Sequence, residues 1–303
     1  MLSVKLPKAK YIIAVSGGVD SMVLLDILRR QPDVDLVVAH LNHGIRDDSN
    51  LDEELVHHYT MSHNIIFVSK HISLGKGASE EKARKARYSF LRQCRKRFNT
   101  KFIVTAQHQD DLVETAIINL LRGTSWRGLA PFTNTKDVLR PLINYKKSEL
   151  ITYAKRHNIP WREDSTNQDQ MYLRNYVRRS LLSQVETKIP GFYDNILRLI
   201  RKQQVLRRTI QTELNKLLLI ENKKPNELNR HLVIMLPPFL GYELIQHFVF
   251  CATGASLVRS LAEAVMIFAK TAKPRKTMPL GAMWQVRCTT RQLIVEPRLD
   301  MLS

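Results

Sequence analysis

Four short runs of apolar, β-favouring residues, at 11–15, 34–41, 65–72 and 102–107, alternate with helix-period patterns at 21–30, 51–63, 78–98 and 110–122. Continuous apolar runs of that length, separated by amphipathic helices, are what a parallel sheet covered on both faces requires. The alternation therefore predicts an α/β fold, a doubly wound parallel sheet with ligands at the carboxyl ends of its strands. From about residue 187 the character changes. Long helical patterns with Lys/Arg faces take over, and "MWQVRCTTRQLIVEP" alternates as a short β hairpin. Pro190 and Gly191 punctuate the change, so two domains are expected: 1–186, and a smaller, mainly helical 187–303.

Charge narrows the partners. The 303 residues carry 47 Lys+Arg against 28 Asp+Glu, a net charge of +19, and such an imbalance opposes compaction unless a polyanion neutralises it. Nucleic acid is the leading partner. Residues 1–186 hold 29 basic and 20 acidic side chains, whereas 187–303 hold 18 and 8, so the second part is the more basic for its length. Nine Lys/Arg lie between Lys82 and Lys101, on a segment whose apolar face is Ala83, Ala86, Phe90, Cys94 and Phe98. The segment offers a polyanion-facing surface or a solvated helix face. Cys94, Cys251 and Cys288 are far apart and odd in number, which supports neither a disulfide framework nor a metal cluster. The residues at the start, "MLSVKLPKAK", lack the apolar core of a signal peptide, and the apolar stretch 231–258 is broken by Pro237, Pro238 and Glu243. A soluble, cytoplasmic chain with no membrane segment is expected.

The turn between the first run and the first helix is "SGGVDS", Ser16 to Ser21. Glycine lets backbone approach a ligand closely, and exposed N–H groups at a helix start suit an anion. No G-x-x-x-x-G-K-[ST] and no G-x-G-x-x-G occurs in the chain, so this is a different phosphate cradle from the common ones. Read from the residues, Gly17 and Gly18 offer N–H donors, Ser16 and Ser21 offer hydroxyls, and Asp20 offers a carboxylate to Mg²⁺; a capped tight turn is the plainer alternative. Placed after a strand and before a helix, Ser16–Ser21 resembles the pyrophosphate-binding loop of the PP-loop, or N-type, ATP pyrophosphatases. That resemblance implies ATP as cofactor, attack at its α-phosphate, and a nucleotide site of Ser16, Gly17, Gly18, Val19, Asp20 and Ser21.

Further motifs follow in order: "HLNHGIR" (His40–Arg46), "ASEEKARKARYSFL" (Ala78–Leu91), "TAQHQDDLVETAIINLLRGTSWRGLAPF" (Thr105–Phe132), "RPLINYKKSEL" (Arg140–Leu150), "WREDSTN" (Trp161–Asn167) and "YLRNYVR" (Tyr172–Arg178). Together they resemble the tRNA(Ile)-lysidine synthases over roughly residues 11–180, with Gln107 standing where that family usually has a second histidine beside His108. The resemblance implies adenylation of a wobble cytidine in an isoleucine tRNA with a CAU anticodon. Displacement of AMP by free lysine then follows. It leaves a homodimer open.

Helical spacing alone makes Asp110 and Glu114 i,i+4 neighbours and gives Asp111, Thr115, Asn119 and Arg122 one stripe. Acids there serve either as helix caps or as site carboxylates. The expected catalytic residues are Asp20, Asp110, Asp111, Glu114 and Arg122, with Asp164 a further candidate base and Arg122 stabilising phosphate charge. His40, Asn42 and His43 leave the second strand beside the loop and are expected at the nucleotide. Arg46, Arg84, Lys85, Arg174, Arg178, Arg201, Lys202, Arg207 and Arg208 are expected at RNA. Two other readings stay open: a tRNA cytidine thiolase, which generally uses closely spaced cysteines, and a non-catalytic RNA-binding protein that keeps the nucleotide fold.

Overall fold

The computed structural model describes residues 2–42, 44, 49–73, 80–133, 137–163, 173–221 and 224–298. The central strand, β1 (Ala9–Ala14), pairs in parallel with β2 (Val34–Asn42) and β4 (Phe102–Val104), placing Ile12 opposite Val37 and Ile103. β3 (Ile66–His71) and β5 (Val138–Leu139) extend the sheet on either side, giving the order β3-β2-β1-β4-β5. Strand order reverses at β1, and an α/β sheet opens its ligand crevice at such a point.

Period-two alternation sends neighbouring side chains of β1 to opposite faces. Tyr11 and Ile13 meet Met22, Leu24, Leu25 and Leu28 of α1 (Val19–Arg29) and Leu150 and Ala154 of α5 (Lys147–Arg156). Ile12 faces the other way, onto Phe90, Leu91 and Cys94 of α3 (Glu80–Arg97). The buried face of α3 and its exposed Lys/Arg residues are the two sides of one amphipathic helix. α2 (Ser49–Met61) and α4 (Gln109–Leu121) complete the βα units.

After α5 the described chain resumes as one helical stretch: α6 (Leu173–Tyr176), a wide π turn over Val177–Leu181, and α7 (Leu182–Lys188). Val177, together with Leu197 and Ile200 of α8 (Phe192–Glu221), is buried against Leu112, Val113 and Ile117 of α4. The chain divides into two compact units, Met1–Gln204 and Val205–Ser303. The division falls inside α8, later than residue 186, because the apolar stripe of the first half of that helix is spent on α4.

The second unit has its own core. The expected hairpin is present as β8 (Trp284–Cys288) and β9 (Gln292–Pro297). Two three-residue strands, β6 (Glu227–Asn229) and β7 (Thr277–Pro279), widen it into an antiparallel sheet ordered β6-β9-β8-β7. α9 (Arg230–Met235), α10 (Pro238–Thr253) and α11 (Arg259–Thr271) pack against it through Val233, Leu244, Phe248, Ala262 and Val265. Cys94 and Cys288 are buried in different units, and Cys251 is exposed. Among the described residues no helix is long and apolar enough to cross a membrane.

Candidate functional site

The phosphate-type loop lies between β1 and α1, at the carboxyl edge of the sheet. Gly17 has φ +89, and a Cβ there would stand 3.2 Å from the Cβ of Asp52 on α2, so both backbone conformation and close packing require glycine. Gly18 differs: an added Cβ would meet only Ser16 Oγ, at 3.7 Å, and the protein side leaves room for it. Its lack of a side chain therefore serves the open side of the loop. Ser21 accepts from the Ser16 N–H at 3.1 Å and donates to the Gly18 carbonyl at 2.9 Å. The Ser21 hydroxyl shapes the loop from within; Ser16 is the exposed one. Arg162 closes the loop from the far side, its N–H donating to the Gly17 carbonyl at 3.1 Å and its Nε pairing with Asp52 at 3.1 Å.

Asp20, in the first turn of α1, faces His108, which precedes α4. Lys147 Nζ donates to Asp20 Oδ2 at 2.8 Å, and His108 Nε2 lies 3.7 Å from the same oxygen. His108 Nδ1 lies 3.3 Å from Asp110, its Nε2 lies 3.6 Å from Asp111, and its own backbone N–H donates to Asp111 at 3.0 Å. The Lys147 backbone N–H donates to Asp110 at 2.7 Å, tying the start of α5 to the start of α4. Farther in, Arg178 grips Glu114 through two parallel bonds of 2.5 and 2.9 Å and comes within 3.7 Å of Asp111. Arg174 lies 3.8 Å from Glu114. The wide turn at Val177–Leu181 carries Arg178 to this position. π turns recur at sites of this kind because they re-aim a side chain.

This cluster shifts proton affinities. Burial alone would lower His108, but the surrounding carboxylates of Asp110, Asp20 and Asp111 outweigh it and lift the imidazole to about 10. It is an imidazolium at neutral pH. Burial opposes ionisation of Asp20 and Asp110 as well, yet their cationic partners win; Asp20 falls below its usual range and Asp110 to about 2. Glu114 moves the other way, because its side chain is only 1% exposed and burial exceeds what Arg178 returns. Burial first, and the Asp110 charge second, push Tyr193 up.

These groups line a cleft of about 480 Å³, bounded by His108, Asp110, Glu114, Lys147, Arg178 and Tyr193, with Glu186 and Asp194 also on its wall. Asp20 Oδ1 is buried and accepts no hydrogen bond among the described residues. A buried carboxylate oxygen without a partner fits a hard cation. Mg²⁺ is such a cation, usually held by one or two carboxylates and the phosphates of its nucleotide.

Asp20, Asp110, Asp111 and Glu114 are thus brought together as expected from the sequence. Arg122 is not with them: it follows the other end of α4, twelve residues or about 18 Å along the axis from Asp110. His40 donates through Nδ1 to the Val15 carbonyl at 2.9 Å, and burial depresses its pKa. Asn42 braces the chain after β2 through Asn50 and the Gly44 N–H, both at 3.0 Å. His43, Arg46 and Asp164 lie outside the described residues. Arg174 and Arg178, expected at RNA, turn inward onto Glu114. Arg84 lies over the Tyr88 ring at 5.0 Å, and Lys85 pairs with Glu81 at 2.7 Å. Arg201, Lys202 and Arg208 are exposed along α8, and Arg207 is half-buried there. Sequence reasoning did not single out His108 or Lys147 as site residues. His108 had a signal, its place two residues before Asp110; Lys147 had only a position at a helix start.

A parallel sheet with its glycine turn at the switch point defines a nucleotide-binding α/β domain. The chain belongs to the PP-loop family, whose domain is matched over residues 2–185. It is 34% identical over 210 residues to the tRNA(Ile)-lysidine synthase of Thermotoga maritima, covering 66% of this chain and 51% of that protein. With the tRNA(Ile)-lysidine synthase of Enterococcus faecalis it shares 28% identity, over 96% of this chain and 67% of that protein. The chain spans about half the length of most of these curated relatives. A U34-tRNA thiolase from Methanococcus maripaludis, solved with its [4Fe-4S] cluster, superposes with a TM-score of 0.55 at 18% identity, covering 66% of this chain and 73% of that one. At that identity the likeness is one of fold.

Proposed function

We propose that this protein joins free lysine to C2 of the wobble cytidine in a CAU-anticodon isoleucine tRNA, in two steps that consume ATP. The observation that carries this reading is the facing pair of Asp20 on the phosphate loop and the His108–Asp110–Asp111 helix start, in a chain whose relatives bear that name. In the first step the cytidine O2 attacks the α-phosphorus; the O2–P bond forms and pyrophosphate leaves with the electrons of the broken P–O bond. The loop amides of Gly17 and Gly18 would hold the outer phosphates. Asp20, through Oδ1, would hold Mg²⁺, which when bound supplies charge neutralisation for the departing group. His108, held as an imidazolium among Asp20, Asp110 and Asp111, would offer positive charge to the phosphates.

In the second step the lysine ε-amine attacks C2 and AMP departs. That amine, with an ordinary pKa of ~10.4, is free base in about one molecule in 2,500 at pH 7, a cost of roughly 4.6 kcal/mol. The cleft offers acids for ammonium groups at Asp110, Asp194 and Glu186 and cations for a carboxylate at Lys146 and Arg178. The proton would pass to a carboxylate of this cluster, Asp110, Asp111 or Glu114, each of which already has a cationic partner to share. The exposed basic residues of α3 and α8 would grip tRNA phosphates, so binding should weaken steeply with salt. The alternative thiolase chemistry asks for neighbouring cysteines, and Cys94, Cys251 and Cys288 are far apart in sequence and split between two units.

The test is incubation with ATP, Mg²⁺, labelled lysine and bulk tRNA, followed by nucleoside analysis. A lysine-bearing cytidine, with AMP and pyrophosphate as co-products, is expected. Label-free nucleosides, or ADP and phosphate as products, would overturn the reading.

A further inference from the structure

Lys147 has two separate attachments in the cleft. Its backbone N–H is fixed to Asp110 at 2.7 Å, and its side chain reaches Asp20 Oδ2 at 2.8 Å. The first attachment belongs to the main chain and persists whatever side chain stands there. The second places an ammonium on one oxygen of a carboxylate whose other oxygen, Oδ1, is buried without a hydrogen bond. Among the described residues Asp20 is the one side chain that holds that ammonium; the Lys147 side chain is 37% exposed and sits on the wall of the cleft. Compare Arg178, held to Glu114 by a bidentate pair and within reach of Asp111. Arg178 is built to stay, whereas Lys147 is built to let go. A lysine suits that use, being a compact charge on a flexible stem rather than a rigid fork.

We propose that Lys147 is an exchangeable counter-ion: it neutralises Asp20 in competition with the divalent metal, and moves onto the pyrophosphate as that group departs. The inference rests on the functional reading above and adds a residue to it. Two cations cannot both be drawn to one carboxylate without repelling each other, so Lys147 weakens metal binding at Asp20 until a phosphate takes its charge. The same ammonium then meets the negative charge that grows on the leaving oxygen when the P–O bond breaks, and no proton needs to change hands. The metal is bound loosely before the reaction and is released with pyrophosphate after it.

The two halves predict opposite effects, which a merely structural lysine would not produce. Mn²⁺ titrated into the full chain without nucleotide, followed by electron paramagnetic resonance, should bind about tenfold more tightly to Lys147→Met than to the wild type, since a like charge roughly 5 Å away has been removed. The single-turnover rate of AMP formation from ATP and tRNA should fall by about a hundredfold in the same variant. Lys147→Arg, which keeps the charge, should return both quantities most of the way. Unchanged Mn²⁺ affinity in Lys147→Met, an undiminished rate, or an arginine variant that behaves like methionine would each overturn the proposal. If the wild type forms no AMP with RNA, the functional reading fails instead, while the Mn²⁺ titration still decides whether Lys147 competes at Asp20.

Discussion

Helix α1 carries one aspartate near each end, and the two are finished differently. Asp26, on the last turns, has a side chain only 1% exposed. It accepts from Arg29 at 2.6 and 3.0 Å, from Arg30 at 2.9 and 3.1 Å, from Tyr59 at 2.9 Å and from Tyr153 at 3.0 Å. Every lone pair of that carboxylate is used, and three elements, α1, α2 and α5, are stapled by it. Asp20, six residues earlier, is 26% exposed, shares His108 with two other acids, and keeps one buried oxygen unbonded. A buried charge with complete partners costs little to keep and a great deal to break. An incomplete one persists at a site where a ligand completes it. Satisfaction, rather than charge, separates the structural end of this helix from the chemical end.

Several substitutions would break or sharpen that contrast. The largest effect belongs to Asp20→Asn, which should reduce AMP formation at least about a thousandfold while the melting temperature stays within a few degrees. A stable variant with wild-type turnover would remove Asp20 from the chemistry. Asp26→Ala should do the reverse: calorimetry or denaturant unfolding should show a loss of about 3–5 kcal/mol, since two guanidiniums are left without their partner, whereas KM for ATP in the folded fraction should not move. Tyr153→Phe is milder, about 1 kcal/mol by the same unfolding measurement, because five donor contacts remain on Asp26.

The smallest effect is a pH dependence. Burial, and after it the hydrogen bonds to the Asp26 carboxylate, raise Tyr153 from 10.0 to about 12, and Tyr59 reaches about 12 as well, with burial its leading cause. A pKa raised by folding stabilises fully below the unfolded value and is lost as pH rises through the folded one. The wild type should therefore lose more stability between pH 10 and 12 than the Tyr59→Phe/Tyr153→Phe double variant. Equal losses in a pH series of unfolding curves would show that these hydroxyls do not stay protonated through that range.

How much of this was legible in the sequence follows from chain separation. The glycine turn is local: strand, loop and helix lie within Ala9–Arg29, and periodicity marks each part. The strands β1 to β4 were visible because each overlaps a run of at least five mostly apolar, β-favouring residues, even at the exposed edge strand β3. β5 has two residues, and β6 and β7 have three each, too few to show alternation. Asp110, Asp111 and Glu114 stood out by helical spacing. Their cations did not, because Lys147 lies 127 residues from Asp20 and Arg178 lies 64 from Glu114. The domain border was read from a change in composition, but the apolar stripe that decides where α8 packs is interleaved with its arginines. The Val15 carbonyl that fixes the His40 ring through Nδ1 lies 25 residues away and was likewise out of reach of local pattern.

The wide turn at Val177–Leu181 gives the molecule a peculiar kind of fragility. Arg178 and Ser183 line the same cleft although they are five positions apart. In an α-helix five positions rotate about 140° away from a full turn, whereas a π turn brings them back to within about 50°. One extra residue's worth of winding thus keeps the two halves of the stretch in phase on the cleft. Deleting a single residue there would let the helix relax into regular α winding, with better backbone geometry than before, and would leave α7 presenting the wrong side chains. A frame-preserving loss of one codon, harmless to folding or even helpful to it, would be enough to put the cleft out of register.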